Sequence, residues 1–333
     1  MAGLLPEPPH ARRADVPDGR DVQQHDADDD HRREQRDHTQ RLGVSFRAGA
    51  LRPSNAYGWI VIHRLMKNLA LLDPSHAPAA SAQLERDGWA RLPRVFPDDD
   101  VARLRHEIDA VFDALPSERS RGDRDQFRYE MLNRSGACQE ACAHPRILEV
   151  IEPLLAEDCH VIANTAWRNP AEFAGGPWHC DAGPHVPRAD DVPWDDRIPY
   201  PVFAVGAHLM LQPCTRADGP TAVVPGSHRS GRLAPFDRML DEELTYDGRP
   251  PVVIQADAGD VLLFVSDVWH RGLPATRGTG RYFLQVHYAR RDIAQRIRTT
   301  AVANQLTGDA IARATTDRAR TLVGLHDPFF YDG

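Results

Sequence analysis

A chain of 333 residues is long enough to bury one large hydrophobic core or two small ones, and its composition, 41% apolar and 26% charged, is ordinary for a soluble globular protein. The formal net charge of -8 argues against nucleic acid or an anionic membrane as the main partner and leaves a small molecule as the expected ligand, while nothing specifies an oligomeric state. Cys138, Cys142, Cys159, Cys180 and Cys214 form an odd set without CxxC spacing, which suggests neither a disulfide framework nor a cysteine zinc site and fits a reducing cytoplasm.

In chain order, the first stretch is dominated by Asp, Arg, His and Pro, as in "DGRDVQQHDADDDHRREQRDHTQR", with no sustained apolar period. It reads as a solvated tail rather than a metal-binding tract through His25, His31 and His38. The most apolar early stretch, Gly58 to Leu72, is broken by His63, Arg64, Lys67 and Asn68, so no targeting or membrane segment is expected. Residues 1–75 are therefore expected to be a poorly ordered extension, with Met66 as an alternative natural start, and residues 76–333 the folded domain.

Order is expected from Ser81, where "SAQLERDG" offers an N-cap serine and a terminating Gly88, followed by a strand, "WARLPRVF". Val101, Leu104, Ile108, Val111, Phe112 and Leu115 then recur at helical spacing behind Asp98, Asp99 and Asp100, whose charge suits the helix dipole. A second helix is expected over Pro145–Ala156, with Ile147, Ile151, Leu154 and Leu155 on one face. From Cys159 the texture changes to short β-type runs separated by Gly, Pro and Asp, as in a sandwich or barrel: "HVIANTAW", "VFAVGAHLML", "TAVVP", "PVVIQA", "DVLLFV" and "YFLQVHYA". Beyond Arg291 the sequence turns helical and polar, ending in "DPFFYDG".

Within the β region, "GGPWHCDAGPH" places His179 and Asp181 two residues apart, so both side chains leave the same face of an extended strand. Among 16 histidines this is the only His-x-Asp in the chain, although a single occurrence is near chance level for this composition. Joined to a distant second His, the pattern is that of the two-His-one-carboxylate triad, which leaves metal positions open for oxygen chemistry and points to iron(II). Downstream, "AGDVLLFVSDVWHRGLPATRGTGRYFLQVHY" reads as a strand delivering His270, a loop, and a strand opening at Arg281, whose face is shared by Phe283, Gln285 and His287. A guanidinium there suits a dicarboxylate, with Arg277, Arg290 and Arg291 as alternatives.

These residues resemble the phytanoyl-CoA dioxygenase family of iron(II)/2-oxoglutarate oxygenases: "WHCD", "DGPTAVVPGSHRSG", "AGDVLLFVSDVWHRG" and "GTGRYFLQ" occur in the family's order and spacing, and the similarity spans Ser81 to Tyr288. The resemblance implies a mainly β fold, a double-stranded β-helix (jelly roll, cupin-like) with flanking N-terminal and C-terminal helices. It implies a metal triad of His179, Asp181 and His270, and 2-oxoglutarate held by Arg281. The implied reaction is hydroxylation of an unactivated C–H bond of a small-molecule or acyl substrate by dioxygen, with 2-oxoglutarate leaving as succinate and carbon dioxide; Asp181 disfavours halogenation, for which related enzymes carry a small residue there. One departure stands out. Some members carry a hydroxyl residue two places after the distal His to help bind the co-substrate carboxylate, where this chain has Gly272; Thr279 or a tyrosine would have to replace it.

Asn164 and Gln285 are further pocket candidates as polar residues on β-type runs. The Pro-Gly turn before His228 marks that segment as structural, Pro184 and Pro187 place His185 in an irregular loop, and Cys180 is expected to point away from the metal. His208 and His287 interrupt otherwise apolar strands and read as inward polar candidates or, the favoured reading, satisfied core histidines, and Trp178 and Trp269 read as barrel wall. The alternative function is a cupin-type metal-dependent hydrolase or isomerase that does not use 2-oxoglutarate and would have no need of Arg281.

Overall fold

The computed structural model describes residues 79–114, 126–181, 183–189, 191–276, 279–297 and 306–326. The expected N-terminal extension and the aromatic end "DPFFYDG" lie outside these residues.

Helix α1 (Ala79–Asp87) starts ahead of the serine expected to cap it, because the Ser81 hydroxyl is used elsewhere: buried, it donates to the Val150 carbonyl at 2.7 Å. Gly88 ends the helix with a positive φ of 80°. Strand β1 (Trp89–Leu92) stops at Pro93, short of the expected run to Phe96, and the Val95 and Phe96 amides turn to donate to the Gly259 carbonyl at 2.9 and 3.0 Å. Helix α2 (Asp98–Ala114) buries Val101, Leu104, Ile108 and Phe112 as one stripe and carries its three aspartates in the first turn.

Strand β2 (Gln126–Arg128) and the short helices α3 (Met131–Arg134) and α4 (Gly136–Cys142) have no strong period in the sequence; α4 is set by its cap, the Ser135 side chain accepting from the Cys138 amide at 3.0 Å. Helix α5 (Pro145–Leu155) begins with Pro in its first turn and buries Ile147, Leu148, Val150, Ile151 and Leu155. The β region follows as β3 (His160–Asn169), β4 (Ala204–Met210), β5 (Thr221–Val223), β6 (Val252–Ile254), β7 (Val261–Val265), β8 (His270–Gly272) and β9 (Arg281–Ala289). Helices α6 (Gly308–Arg313) and α7 (Asp317–Leu322) close the described chain, each capped by a threonine.

The strands form two antiparallel sheets, one in the order β1-β7-β4-β9-β3-β2 and one in the order β6-β5-β8, the arrangement of a double-stranded β-helix. Period-2 alternation assigns the two faces of the larger sheet. Val205, Ala207 and Leu209 of β4 and Leu284, Val286 and Tyr288 of β9 pack with Leu104, Ile108, Ile147 and Ile151 of the helices in one core. The opposite face looks inward: Leu262 and Phe264 of β7 pack against Val223 and Ile254 of the smaller sheet, and Met210 against Phe283. The inner positions of β9 are thus Arg281, Phe283, Gln285 and His287, which fixes what the barrel interior contains.

His228 lies in a turn of 3-10 helix after β5, buried, with Nε2 donating to the Glu85 carbonyl at 2.8 Å and Nδ1 without a partner among the described residues. Burial pushes its pKa down to about 4 and outweighs the upward pull of the Glu85 carbonyl. The unfolded chain therefore takes up this proton near pH 6.5 and the folded chain only near 4. The contribution is present above about pH 6.5 and disappears as the pH falls through that window, about 3 kcal/mol in all. Urea unfolding of wild type should lose about 3 kcal/mol more between pH 6.5 and 4 than a His228→Gln variant does; equal pH dependence in both would contradict the assignment.

Candidate active site

Backbone pairing brings the predicted residues together. His179 and His270 form an antiparallel bridge, the His179 amide donating to the His270 carbonyl and the His270 amide to the His179 carbonyl, both at 3.0 Å. The next inward residue of the same segment, Asp181, is held by its amide to the Ser266 carbonyl at 3.0 Å. The two imidazole rings consequently stand 4.3 Å apart between centroids.

Each ring is also fixed in rotation. His179 Nδ1 lies 2.9 Å from the Pro177 carbonyl and His270 Nδ1 2.9 Å from the Val268 carbonyl, in both cases two residues back. A carbonyl only accepts, so each Nδ1 carries a proton and Nε2 is the nitrogen left to face a metal. The two Nε2 atoms aim at one place: Asp181 Oδ1 is 3.4 Å from His270 Nε2 and 3.8 Å from His179 Nε2, and one ligand atom from each residue lies within 4.8 Å of the others. Three donors bonding one ion at about 2.1 Å, mutually at right angles, would sit about 3 Å apart, so drawing the three side chains in around an ion completes the geometry. The donor set fits iron(II).

The fourth member is His287, expected to be a core histidine. Its Nε2 donates to Asp181 Oδ2 at 2.9 Å, which turns Oδ1 toward the two imidazoles. Burial raises the Asp181 carboxyl, but the charges of His270 and His287 pull harder and hold it well below the usual carboxylate range. Burial likewise lowers His270, and Asp181 more than reverses it, leaving the imidazole raised. Cys180 points the other way, its Sγ 3.4 Å from the Asp267 carbonyl, and burial followed by Asp267 and Asp181 pushes the thiol up to about 12, where it is inert.

Arg281 enters the barrel, and of the alternative arginines Arg290 and Arg291 do not. Its side chain is buried, with Nη1 donating to Thr221 Oγ1 at 3.3 Å and the guanidinium over the Phe173 and Phe283 rings at 5.0 and 5.2 Å. Arg290 pairs with Asp292 and Arg291 with Asp158, and Arg277 lies outside the described residues. His208 stands between the rings of Phe264 and Phe283 at 5.0 and 4.3 Å, and burial followed by the Arg281 charge holds it neutral, well below its usual pKa.

Gln285 is on the inner face, its Nε2 3.4 Å from His287 Nε2. Asn164 is not: it pairs in register with Val286, whose side chain belongs to the helix-packed core, and its Nδ2 donates to the Gln285 carbonyl at 3.0 Å. A bulge between Val161 and Ala163 sets this parity, which the sequence does not display. Thr279, a suggested replacement for the hydroxyl absent at Gly272, is tied to Gln212 at 3.2 Å and to Asp218 through its amide. His185 is turned to another partner: its Nδ1 donates to the buried Asp267 carboxylate at 2.5 Å, and Tyr200 donates to the other oxygen at 2.5 Å. A wide cavity of about 840 Å³ lies elsewhere, beside Glu149, Glu152, Asp158 and Arg318, but among the described residues only His179, Asp181 and His270 form a group able to hold a metal.

Residues 84–281 match the sequence family described as phytanoyl-CoA dioxygenase. The chain belongs to the phytanoyl-CoA dioxygenase family. It is therefore a member of the 2-oxoglutarate-dependent non-haem iron oxygenases, whose cofactor and co-substrate are iron(II) and 2-oxoglutarate. Among solved structures, the fold is similar to that of the epimerase SnoN in complex with Fe3+, alpha ketoglutarate and nogalamycin RO (TM-score 0.54, 18% identity, covering 72% of this chain and 98% of that one). It is also similar to that of HygX from Streptomyces hygroscopicus with nickel and 2-oxoglutarate bound (TM-score 0.51, 15% identity, 65% and 88%). Among curated proteins, L-proline trans-4-hydroxylase of Streptomyces griseoviridis is 28% identical over 171 residues, 46% of this chain and 57% of its own length. An uncharacterized protein of Mycobacterium tuberculosis is 29% identical over 123 residues, 37% of this chain and 41% of its own. The chain thus matches little more than half the length of these family relatives or less. Among the described residues no helix is long and apolar enough to cross a membrane.

The His287 bond to Asp181 generates a test at one remove from the triad. A His287→Leu variant should bind manganese(II) in anaerobic titration about 10-fold to 100-fold more weakly than wild type; unchanged affinity in the folded variant would show that Asp181 is oriented without it.

Proposed function

We propose that this protein hydroxylates an unactivated C–H bond of a small-molecule or acyl substrate, using iron(II) held by His179, Asp181 and His270 and 2-oxoglutarate anchored by Arg281. The observation that carries the reading is the convergence of two Nε2 atoms and Asp181 Oδ1 on one point, with both Nδ1 protons committed to backbone carbonyls. Iron at that point supplies the redox chemistry by which dioxygen, 2-oxoglutarate and an R–H substrate become succinate, carbon dioxide and R–OH.

The chain's own residues bind, orient and exclude water. The Arg281 guanidinium, buried between two aromatic rings, offers a fixed cation to the distal carboxylate of the co-substrate, and desolvation makes that attraction stronger than at the surface. Phe283 and the neutral His208 form a dry wall beside it, so a second positive charge does not compete for the carboxylate. Gln285, next to His287 on the inner face, lines the chamber. The Asp181 carboxylate, held by His287, occupies the position that a halide would need, which supports hydroxylation over halogenation.

With iron(II), 2-oxoglutarate and a panel of amino acids, acyl thioesters and aromatic natural products, wild-type protein should release succinate, and Arg281→Ala should raise the KM for 2-oxoglutarate roughly 100-fold, the scale of losing a buried charged contact. Folded, iron-loaded protein that neither binds 2-oxoglutarate nor releases succinate with any member of the panel would sink the proposal.

A further inference from the structure

We infer that Thr221 supplies the hydroxyl contact to the distal carboxylate of 2-oxoglutarate that Gly272 lacks, the group having moved across one strand pair. The inference rests on the reading of Arg281 as the co-substrate anchor and adds a residue that this reading does not require.

Three observations lead to it. First, Thr221 and Gly272 are register partners on the antiparallel strands β5 and β8, so side chains at the two positions leave the same face of the small sheet as close neighbours. Second, Gly272 is a glycine for a local reason. A Cβ there would lie 2.6 Å from Arg281 Nη2, 3.1 Å from its Cζ and 3.0 Å from the Phe173 ring, so the guanidinium occupies the volume in which any side chain at 272 would begin. A serine or threonine at 272 and Arg281 in this pose exclude one another.

Third, Thr221 puts a hydroxyl at the guanidinium from the neighbouring strand. Thr221 is buried and its Oγ1 accepts from Arg281 Nη1 at 3.3 Å. Its only other side-chain neighbour within hydrogen-bond range among the described residues is His208 Nδ1, at the outer limit of 3.5 Å. The hydroxyl proton can therefore turn to a carboxylate seated on Arg281, while its lone pair keeps the guanidinium in place. A charge-assisted hydrogen bond of this kind changes affinity by about tenfold to a hundredfold.

Calorimetric titration of full-length, manganese(II)-loaded protein under anaerobic conditions tests this with two probes. 2-Oxoglutarate carries the distal carboxylate; oxalate chelates the metal without one. Thr221→Val should weaken 2-oxoglutarate binding at least about tenfold, Thr221→Ser should stay within about threefold of wild type, and both should bind oxalate as wild type does. Gly272→Ala, which disturbs Arg281 directly, should lose at least as much 2-oxoglutarate affinity as Thr221→Val while keeping oxalate. If Thr221→Val binds 2-oxoglutarate as tightly as wild type, or loses both probes in parallel, Thr221 is not the contact. Absence of 2-oxoglutarate binding in metal-loaded wild type would overturn the proposed function and this inference with it, whereas normal wild-type binding with an unaffected Thr221→Val overturns the inference alone.

Discussion

The antiparallel bridge between His179 and His270 is the constraint on which the rest of the site depends. Two reciprocal backbone hydrogen bonds fix the separation of two residues far apart in sequence, and the carbonyls of Pro177 and Val268 then fix how each imidazole is turned. The same local device is used twice: an Nδ1–H returned to the carbonyl two residues back, leaving Nε2 to face its counterpart. Because the scaffold sets position and tautomer before any ion arrives, little reorganisation remains for binding, which is the physical content of a preorganised centre.

A preorganised centre concentrates charge where water is scarce, and the surrounding residues answer that cost individually. Asp181 is compensated by His270 and His287, one on each oxygen. Arg281 is compensated by the hydroxyl of Thr221 and by the faces of Phe173 and Phe283. His208, between these two charged regions, is kept neutral by burial and by the repulsion of Arg281. The interior is thereby divided into a negative end that suits a metal and a positive end that suits a carboxylate, with an uncharged aromatic wall between them. A 2-oxo diacid has that pattern of functional groups, a metal-chelating end and a distal anion.

Much of this was legible in the sequence because the governing periods are short. His179 and Asp181 share a face in any extended strand, and Arg281, Phe283, Gln285 and His287 share one in β9, so period 2 alone placed them correctly relative to one another. The apolar stripe of α2 was equally visible at period 3.6. What escaped was information held between strands. A bulge between Val161 and Ala163 sets which face Asn164 takes, and the significance of Thr221 lies in being opposite Gly272, a pairing no local window contains. The role of His287 is hidden because nothing in "LQVHY" signals that its partner is an aspartate more than a hundred residues earlier. The bond of the Ser81 hydroxyl to Val150 is likewise long-range, and a local window shows only a capping serine.

The central claim is that three side chains and one guanidinium were placed by the backbone to hold a metal and a dicarboxylate together. It is tested most directly by a crystal structure of the protein grown anaerobically with manganese(II) and 2-oxoglutarate. The account predicts one metal bonded to Nε2 of His179, Nε2 of His270 and Asp181 Oδ1, with the distal carboxylate of 2-oxoglutarate on Arg281. A metal bound through either Nδ1, a metal lacking one of the three residues, or a co-substrate whose distal carboxylate avoids Arg281 would contradict it.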